Sequence, residues 1–183
     1  MPLWTHQQRG LAYIANAIGR GARNICLAAP TGGGKSRIIT ELLHSTPGDI
    51  ALYTDRRMLL KQLAEDLDRE GVEYGIRAAG HEPALLRRIQ LCMMQTEGSR
   101  FDNGQRSVHP ADLVIIDEAH KMASDTMIQL DQEHLKQKPD RIKIGTTATP
   151  LGIGHFYDYL IVAGTNSELR ECGALVPAMQ YGP

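Results

Sequence analysis

The sequence has few cysteines, few aromatic residues and no long hydrophobic run. Its three cysteines, Cys26, Cys92 and Cys172, are widely spaced and odd in number, so they match neither a disulfide framework nor a zinc site. We interpret them as buried thiols in a reducing compartment. There is no N-terminal hydrophobic signal and no apolar run of about 18 residues, the length that a membrane helix needs. We therefore predict a soluble, cytoplasmic protein without membrane contact.

A charge excess of either sign is also missing. The 20 lysines and arginines against 21 aspartates and glutamates give a net charge of −1, so any site for nucleic acid must be a local patch. With 183 residues, 42% of them hydrophobic, the chain is long enough for one filled core and short for two. We predict one domain that covers residues 1–183.

Apolar periodicity predicts alternating strands and helices. Strands are predicted at residues 23–28, 50–54, 72–78, 89–94, 113–116, 141–147 and 159–162. Helices are predicted at 5–18, 37–43, 56–69, 122–137 and 167–172, with an extended segment at 175–181. Near-continuous apolar strands that alternate with helices indicate an α/β fold, with a mostly parallel β-sheet and helices on both faces.

Several finer predictions concern the helices. We expect Asp55 to cap the helix at 56–69 and Gly71 to end it. The polar stretch 97–110 is predicted to be a loop, with a short helix inside it as the alternative. The inward-facing residues are predicted to be Leu11, Ile14, Ala15 and Ile18 in the first helix, and Met127, Leu130 and Leu135 in the helix at 122–137.

A glycine-rich loop, Ala-Pro-Thr-Gly-Gly-Gly-Lys-Ser at residues 29–36, lies between a predicted strand and a predicted helix. Backbone N–H groups and the helix dipole favour an anion there, and glycines let the backbone wrap a phosphate. Lys35 can reach the β- and γ-phosphates, and the Ser36 hydroxyl can bind Mg²⁺. The alternative is a glycine-rich turn that contains Lys-Ser by chance. The predicted nucleoside triphosphate site comprises Thr31, Gly32, Gly33, Gly34, Lys35 and Ser36.

The most strand-like run, residues 113–116, ends in Asp117 and Glu118, followed by Ala119 and His120. Functional groups gather at the carboxyl ends of parallel strands, so both carboxylates can face the phosphate loop. We expect Asp117 to hold Mg²⁺ through water and Glu118 to orient or deprotonate the attacking water. The alternative is an acidic strand end that is simply solvated.

Residues 29–36, 117–120 and 147–150 resemble motifs I, II and III of the superfamily 2 helicases, in the DEAH-bearing branch of DNA repair and restriction. The resemblance implies a RecA-like P-loop NTPase fold, with ATP and Mg²⁺ as cofactors. It gives His120 a role in coupling the nucleotide state to nucleic acid. It also implies that Thr147 and Thr149 link hydrolysis to domain movement. Without it, these residues would be a capping histidine and threonines of a strand-end turn.

Residues 3–7 lie where this family carries its adenine-reading glutamine motif. The Gln7 amide can pair with N6 and N7 of adenine. The related branch has Arg and Tyr where this chain has Trp4 and His6. Trp4 either stacks on the adenine or anchors the first helix.

Residues 53–62 resemble motif Ia, which holds the nucleic acid backbone in this family. Arg56 and Arg57 near a helix start would neutralise phosphates, and Gln95 and Thr96 resemble a further backbone-contacting motif. The alternative is that both arginines are solvated surface charges. The resemblance to the repair branch favours DNA, single-stranded or at a duplex junction, over RNA.

The resemblance implies a motor in which ATP lies between two RecA-like domains, and residues 167–177 resemble the segment that closes the first one. We expect the chain to be the first domain of an ATP-dependent DNA helicase or translocase, and the second domain to come from the same or another chain. Without the arginine fingers of that domain, it should bind Mg²⁺–ATP weakly and hydrolyse it poorly. The alternatives are a nucleotide-switched nucleic-acid clamp, and the motor subunit of a restriction or repair complex that translocates without strand separation.

Overall fold

A computed structural model describes residues 3–82, 84–105 and 107–176, which contain seven strands in one sheet. The strands are β1 (Asn24–Ala28), β2 (Ile50–Thr54), β3 (Tyr74–Arg77), β4 (Ile89–Met93), β5 (Leu113–Asp117), β6 (Ile142–Thr147) and β7 (Tyr159–Val162). The helices are α1 (Thr5–Gly19), α2 (Lys35–Ser45), α3 (Arg57–Arg69), α4 (Met94–Asp102), α5 (Asp125–Gln137) and α6 (Asn166–Glu171), with a 3₁₀ helix at Ala119–Ala123. Most boundaries lie within two residues of the predicted ones.

The sheet has the order β3-β4-β2-β5-β6-β1-β7, and every neighbouring pair is parallel. Alternate strand residues point to opposite faces, so the sheet carries two apolar cores. Ile25 and Leu27 of β1 lie in the core beneath α1, α2 and α3, whereas Cys26 lies in the core beneath α4 and α5. The predicted α/β fold, with a parallel sheet between two helical layers, is confirmed.

The start of α3 differs from its predicted form. The N-cap residue is Arg56, with no side-chain capping bond, so the prediction that Asp55 caps this helix is wrong. The Arg56 N–H donates to Thr54 Oγ1 at 3.1 Å, and Asp55 instead pairs with Lys121 at 2.8 Å. Gly71 ends the helix in a left-handed conformation, as predicted.

The polar stretch after β4 is helical rather than a loop through residue 102, so the short-helix alternative is correct. The helix α4 begins at Met94, which was predicted to end the preceding strand. Glu97 is 1% exposed, and its carboxylate accepts from Arg77 at 2.9 Å and from Arg100 at 2.6 Å. Glu97 is buried because of its ion pairs and is not apolar. Apolar periodicity therefore does not reveal this helix, which explains why a loop was predicted.

The helix predicted at 122–137 is two elements, because Ser124 interrupts it and caps α5 through the Met127 N–H. Met127 and Leu130 are buried as predicted, but Leu135 is 49% exposed. His134 takes the buried position on the same face, so the apolar pattern misplaced that face by one residue.

Two further burial predictions have mixed outcomes. Ala15 of α1 is exposed, and Ala17 is buried in its place. Cys26 and Cys92 are buried, whereas Cys172 is exposed. No helix in the described ranges is both long and apolar enough to span a bilayer. The segment predicted to be extended at 175–181 falls mainly outside the described residues.

We expect Leu63→Ala to destabilise the protein by about 2–5 kcal/mol, because Leu63 of α3 is fully buried and its loss leaves a cavity. The matched control is Leu135→Ala at the half-exposed position of α5, where the loss should be about 0.5 kcal/mol. The free energy of unfolding in urea measures both. Equal losses would contradict the observed orientation of α5.

We expect His134 to make stability fall as the pH drops below neutral. Burial, aided by the charge of Arg141, lowers the pKa of His134 to about 3, whereas the unfolded chain takes up this proton near 6.5. The stabilisation is therefore complete above about pH 6.5 and is lost progressively toward pH 3, by up to ~1.4 kcal/mol per pH unit.

The measurement is urea unfolding between pH 4 and 7, compared with the variant His134→Gln, whose pH slope should be smaller. Gln retains a polar group near the Tyr53 hydroxyl, which lies 2.7 Å from His134 Nε2. His155→Gln, at an exposed histidine, should leave the slope unchanged. An unchanged slope in His134→Gln would contradict the assignment.

Candidate nucleotide-binding site

The parallel register brings the predicted site residues to one edge of the sheet. Ala28 of β1 pairs with Thr147 of β6, and Thr146 pairs with Asp117 of β5. The first loop residue continues this pairing, since the Ala29 N–H donates to the Thr147 carbonyl at 3.0 Å. The phosphate loop and the acidic strand end therefore lie at the same edge of the sheet, with β6 between the strands that precede them.

The loop has a backbone that only glycine adopts readily. Gly32 and Gly34 have φ values of +80° and +71°, and Gly34 is the N-cap residue of α2. The N-terminus of α2 thus follows directly on the loop. Lys35 Nζ donates to the Ala29 carbonyl at 3.2 Å. Burial lowers the pKa of Lys35, and the nearby carboxylates of Glu118 and Asp117 partly offset that lowering.

This loop borders a cleft of about 710 Å³, called the phosphate cleft below. The cleft also extends along the first turns of α3. Its lining residues are Thr31, Gly32, Gly34, Lys35, Ser36, Arg56, Met58, Leu59, Lys61, Gln62, Glu65 and Glu118. Loop residues, a lysine and the acidic residue that follows β5 therefore share one concave surface.

The start of α1 holds the loop from the other side. His6 and Gln7 are both buried; His6 Nε2 donates to the Gly33 carbonyl at 2.9 Å, and Gln7 Nε2 donates to the Gly34 carbonyl at 3.4 Å. Gln7 Oε1 accepts from the Trp4 N–H at 2.9 Å. The segment thus positions the loop backbone, and adenine reading by Gln7 and stacking by Trp4 stay predictions. No sequence motif predicted the contact between His6 and the loop residue Gly33.

Residues after β7 also reach the loop. Leu169 of α6 is fully buried, and a Cβ on Gly33 would approach its Cδ2 to 3.1 Å. A Cβ on Gly32 would lie 2.7 Å from Leu175 Cδ2. The absence of side chains in the loop is therefore needed for packing as well as for backbone freedom.

Asp117 is fully buried and joins three strand ends. Its Oδ2 accepts from Thr54 Oγ1 at 3.2 Å and from Arg56 Nε and Nη2 at 2.9 and 2.7 Å. Its Oδ1 accepts from Thr146 Oγ1 at 3.4 Å. A buried carboxylate needs such partners, which fixes its position at the edge of the sheet.

Glu118 is the only described non-glycine residue with a positive φ, at 58°. The left-handed conformation costs an L-residue about 1–2 kcal/mol, and such strain concentrates at functional sites. It turns the chain into the 3₁₀ helix and leaves the carboxylate 22% exposed, on the wall of the phosphate cleft. His120 Nδ1 lies 3.6 Å from one of its oxygens.

The predicted coupling residues lie beside the site. The Thr149 N–H donates to Thr147 Oγ1 at 3.1 Å, which forms a tight turn after β6. The threonine of β6 that bonds to Asp117 is Thr146, which sequence reasoning had not selected. A role of Thr147 and Thr149 in coupling stays a prediction.

The donor atoms fit a magnesium–triphosphate complex. Mg²⁺ prefers hard oxygen ligands and is held by one or two carboxylates together with phosphate oxygens. Ser36 lines the phosphate cleft, and Asp117 Oδ1 accepts one long hydrogen bond from the described residues. No group of three His, Cys, Asp or Glu residues that could hold a metal occurs in the described part of the chain. Phosphate oxygens would complete the coordination.

A second cavity of about 780 Å³ lies beside α3, near the carboxyl ends of β3 and β4. It is lined by Asp55, Arg57, Leu60, Lys61, Ala64, Ile76, Ala78, Ala79, His81, Met93, Gln95 and Thr96. Three of the four predicted nucleic-acid residues, Arg57, Gln95 and Thr96, lie together here. The fourth, Arg56, is instead directed into the phosphate cleft.

A family model described as the res subunit of type III restriction enzymes matches residues 1–152. No protein with a curated description matches the chain significantly. Similar solved structures include the Hef helicase domain from Pyrococcus furiosus, with a TM-score of 0.68 and 18% identity over 88% of this chain and 39% of that one.

Two further solved structures are similar over 88% of this chain. A hypothetical ATP-dependent RNA helicase from Sulfolobus tokodaii has a TM-score of 0.65 and 19% identity, over 53% of its length. The UvsW helicase from bacteriophage T4 has a TM-score of 0.66 and 14% identity, over 60% of its length. The chain thus spans 39 to 60% of these structures. These likenesses confirm the predicted RecA-like helicase fold.

We expect Gly34→Ala to weaken Mg²⁺–ATP binding and to destabilise the fold by about 1–2 kcal/mol. The new Cβ would overlap Gln7 Nε2, in a left-handed conformation that alanine disfavours. The control is Gly19→Ala, because a Cβ at the end of α1 meets no atom within 4 Å. Urea unfolding and nucleotide titration measure both variants, and equal behaviour would contradict the described loop geometry.

Proposed function

This chain belongs to the family of the res subunit of type III restriction enzymes, as an N-terminal RecA-like helicase domain, and we propose that it binds and hydrolyses Mg²⁺–ATP to drive movement along nucleic acid. The preferred track is DNA rather than RNA. The observation that carries this proposal is the phosphate cleft, where the glycine loop, Lys35 and Glu118 face one another.

The residues of the cleft have distinct roles in this proposal. Backbone amides at residues 31–36 and the Lys35 ammonium bind the β- and γ-phosphates. Lys35 must exchange its contacts with the Ala29 and Pro30 carbonyls for phosphate oxygens. Ser36 and Asp117 would hold Mg²⁺, which would supply positive charge next to the transferred phosphoryl group.

Hydrolysis requires a water in line with the γ-phosphorus, and Glu118 orients it. Its partly exposed carboxylate can accept a proton from that water as the oxygen attacks the γ-phosphorus, while the bond from that phosphorus to the bridging oxygen breaks and ADP leaves. His120, whose Nδ1 lies 3.6 Å from a Glu118 carboxylate oxygen, couples the nucleotide state to the nucleic acid site. Thr147 at the end of β6 and Thr149 in the turn that follows couple the nucleotide state to movement of a second domain. Gln7 and Trp4 read the adenine.

The second cavity supports nucleic acid binding. Arg57 and Lys61 of α3 supply positive charge, and Gln95 and Thr96 of α4 supply hydrogen-bonding groups in the same cavity. Such a mixture suits contacts with a sugar-phosphate backbone, which position the protein without reading the sequence. The membership in a restriction-enzyme family supports DNA as the track.

A second RecA-like domain, in the same or another chain, completes the motor in this proposal. An arginine finger from such a domain is worth about 10³–10⁵ in turnover in related phosphoryl transfer. We therefore expect the 183-residue chain to bind Mg²⁺–ATP weakly and to hydrolyse it slowly.

We expect Glu118→Gln to abolish turnover while Mg²⁺–ATP binding persists, because the amide cannot accept the proton of water. Lys35→Ala should weaken the binding itself, since the phosphates lose their nearest cation. Isothermal titration calorimetry with Mg²⁺–ATP and phosphate-release assays separate the two effects. Loss of binding in Glu118→Gln, or normal turnover in Lys35→Ala, would contradict these roles.

The function itself is tested by ATP turnover with and without single-stranded DNA or RNA. Stimulation by DNA supports the proposal, whereas stimulation by RNA alone would overturn the choice of track. Nucleotide-dependent DNA binding without turnover, even when a second domain is supplied, would favour a clamp. Strand-displacement assays of the complete motor then distinguish a helicase from a translocase that leaves the strands paired.

A further inference from the structure

We propose that Arg56 is a nucleotide-site residue that binds the terminal phosphate of ATP and thereby distinguishes ATP from ADP. The inference rests on the proposed function, because it concerns the same phosphate cleft. It departs from the sequence-based prediction that Arg56, like Arg57, holds the nucleic acid backbone.

The position of the guanidinium carries the inference. Arg56 Nε and Nη2 donate to Asp117 Oδ2 at 2.9 and 2.7 Å, and Nη1 lies 3.9 Å from Glu118 Oε1. The guanidinium therefore lies between the two carboxylates that the proposed reaction uses. Arg56 and Lys35 also line the same cleft, so both cations lie near the predicted phosphate positions.

The two adjacent arginines serve different cavities. Arg56 is the extended N-cap residue of α3, and Arg57 is the first residue of that helix. Arg56 lines the phosphate cleft, whereas Arg57 lines the second cavity with Gln95 and Thr96. Only Arg57 therefore shares a surface with the other residues predicted to bind nucleic acid.

The guanidinium is accessible to a ligand. The Arg56 side chain is 50% exposed although its partner Asp117 is fully buried. Asp117 is also the carboxylate proposed to hold Mg²⁺. A bound metal would therefore compete with Arg56 for the negative charge of Asp117. The strongest remaining anion in the cleft is then the triphosphate, whose oxygens match the planar fork of arginine.

The bond to Asp117 has a second consequence for the cleft. Arg56 keeps a buried carboxylate paired with a cation, which an isolated charge at that depth needs. The same side chain can thus stabilise the site before nucleotide binds and contact the terminal phosphate afterwards. ADP lacks that phosphate, so the second contact is specific to the triphosphate.

The test compares nucleotide affinities of the 183-residue chain by isothermal titration calorimetry, without nucleic acid. The ligands are a non-hydrolysable ATP analogue and ADP, each with Mg²⁺. Arg56→Gln should weaken the analogue about 10- to 100-fold, as expected for one charge-assisted contact, and ADP far less. Arg56→Lys should fall between, because it keeps the charge but loses the fork.

Arg69→Gln is the matched control, since it removes an arginine from the other end of α3, where Arg69 pairs with Asp66 on the surface. Its affinities for both nucleotides should equal those of the wild type. An equal loss for both nucleotides in Arg56→Gln would overturn the inference, because a purely structural role through Asp117 predicts that result. Weaker DNA binding with unchanged nucleotide affinities would return Arg56 to the nucleic acid site.

A second measurement uses the wild-type chain and does not depend on variants that fold. An arginine-specific dicarbonyl reagent, followed by mass spectrometry, reports the modification rate of Arg56. The Mg²⁺-bound ATP analogue should slow that rate more than Mg²⁺–ADP does, and equal rates would overturn the inference. A wild-type chain that binds neither nucleotide would instead overturn the proposed function.

Discussion

The Asp117 carboxylate is the constraint on which the site depends. It is fully buried at the end of β5, where an unpaired charge would be costly, so the neighbouring strands supply its partners. Thr54 comes from the end of β2 and Thr146 from β6, while Arg56 approaches from the start of α3. Satisfying one charge thus fixes the relative positions of several strand ends and of the helix that separates the two cavities.

Much of the fold and of the phosphate cleft was predictable because their signals are local. Continuous apolar runs such as residues 113–116 mark strands that are buried on both faces, and alternation with helices predicts their parallel arrangement. The glycine loop and the acidic pair at 117–118 each follow a strand. Parallel strands end at the same edge, so their proximity could be inferred before any contact was known.

The remainder depends on pairings between residues that are distant in the sequence. Glu97 is buried because Arg77 and Arg100 surround it, and no pattern within residues 97–110 reveals this. His6 contacts the phosphate loop from 27 positions away. Arg56 and Arg57 are indistinguishable as adjacent charges, and only the turn into α3 assigns them to different cavities. Local propensity contains no information about which partner a polar side chain meets.

The left-handed backbone at Glu118 carries a conformational cost at the residue that the proposed function uses to orient water. A glycine would relax the local strain, while aspartate or asparagine would tolerate the conformation better than most residues. Each of these would stabilise the turn and shorten or remove the carboxylate that reaches into the cleft. In the proposed function, such a change would therefore gain stability and lose activity, because the longer carboxylate orients the attacking water.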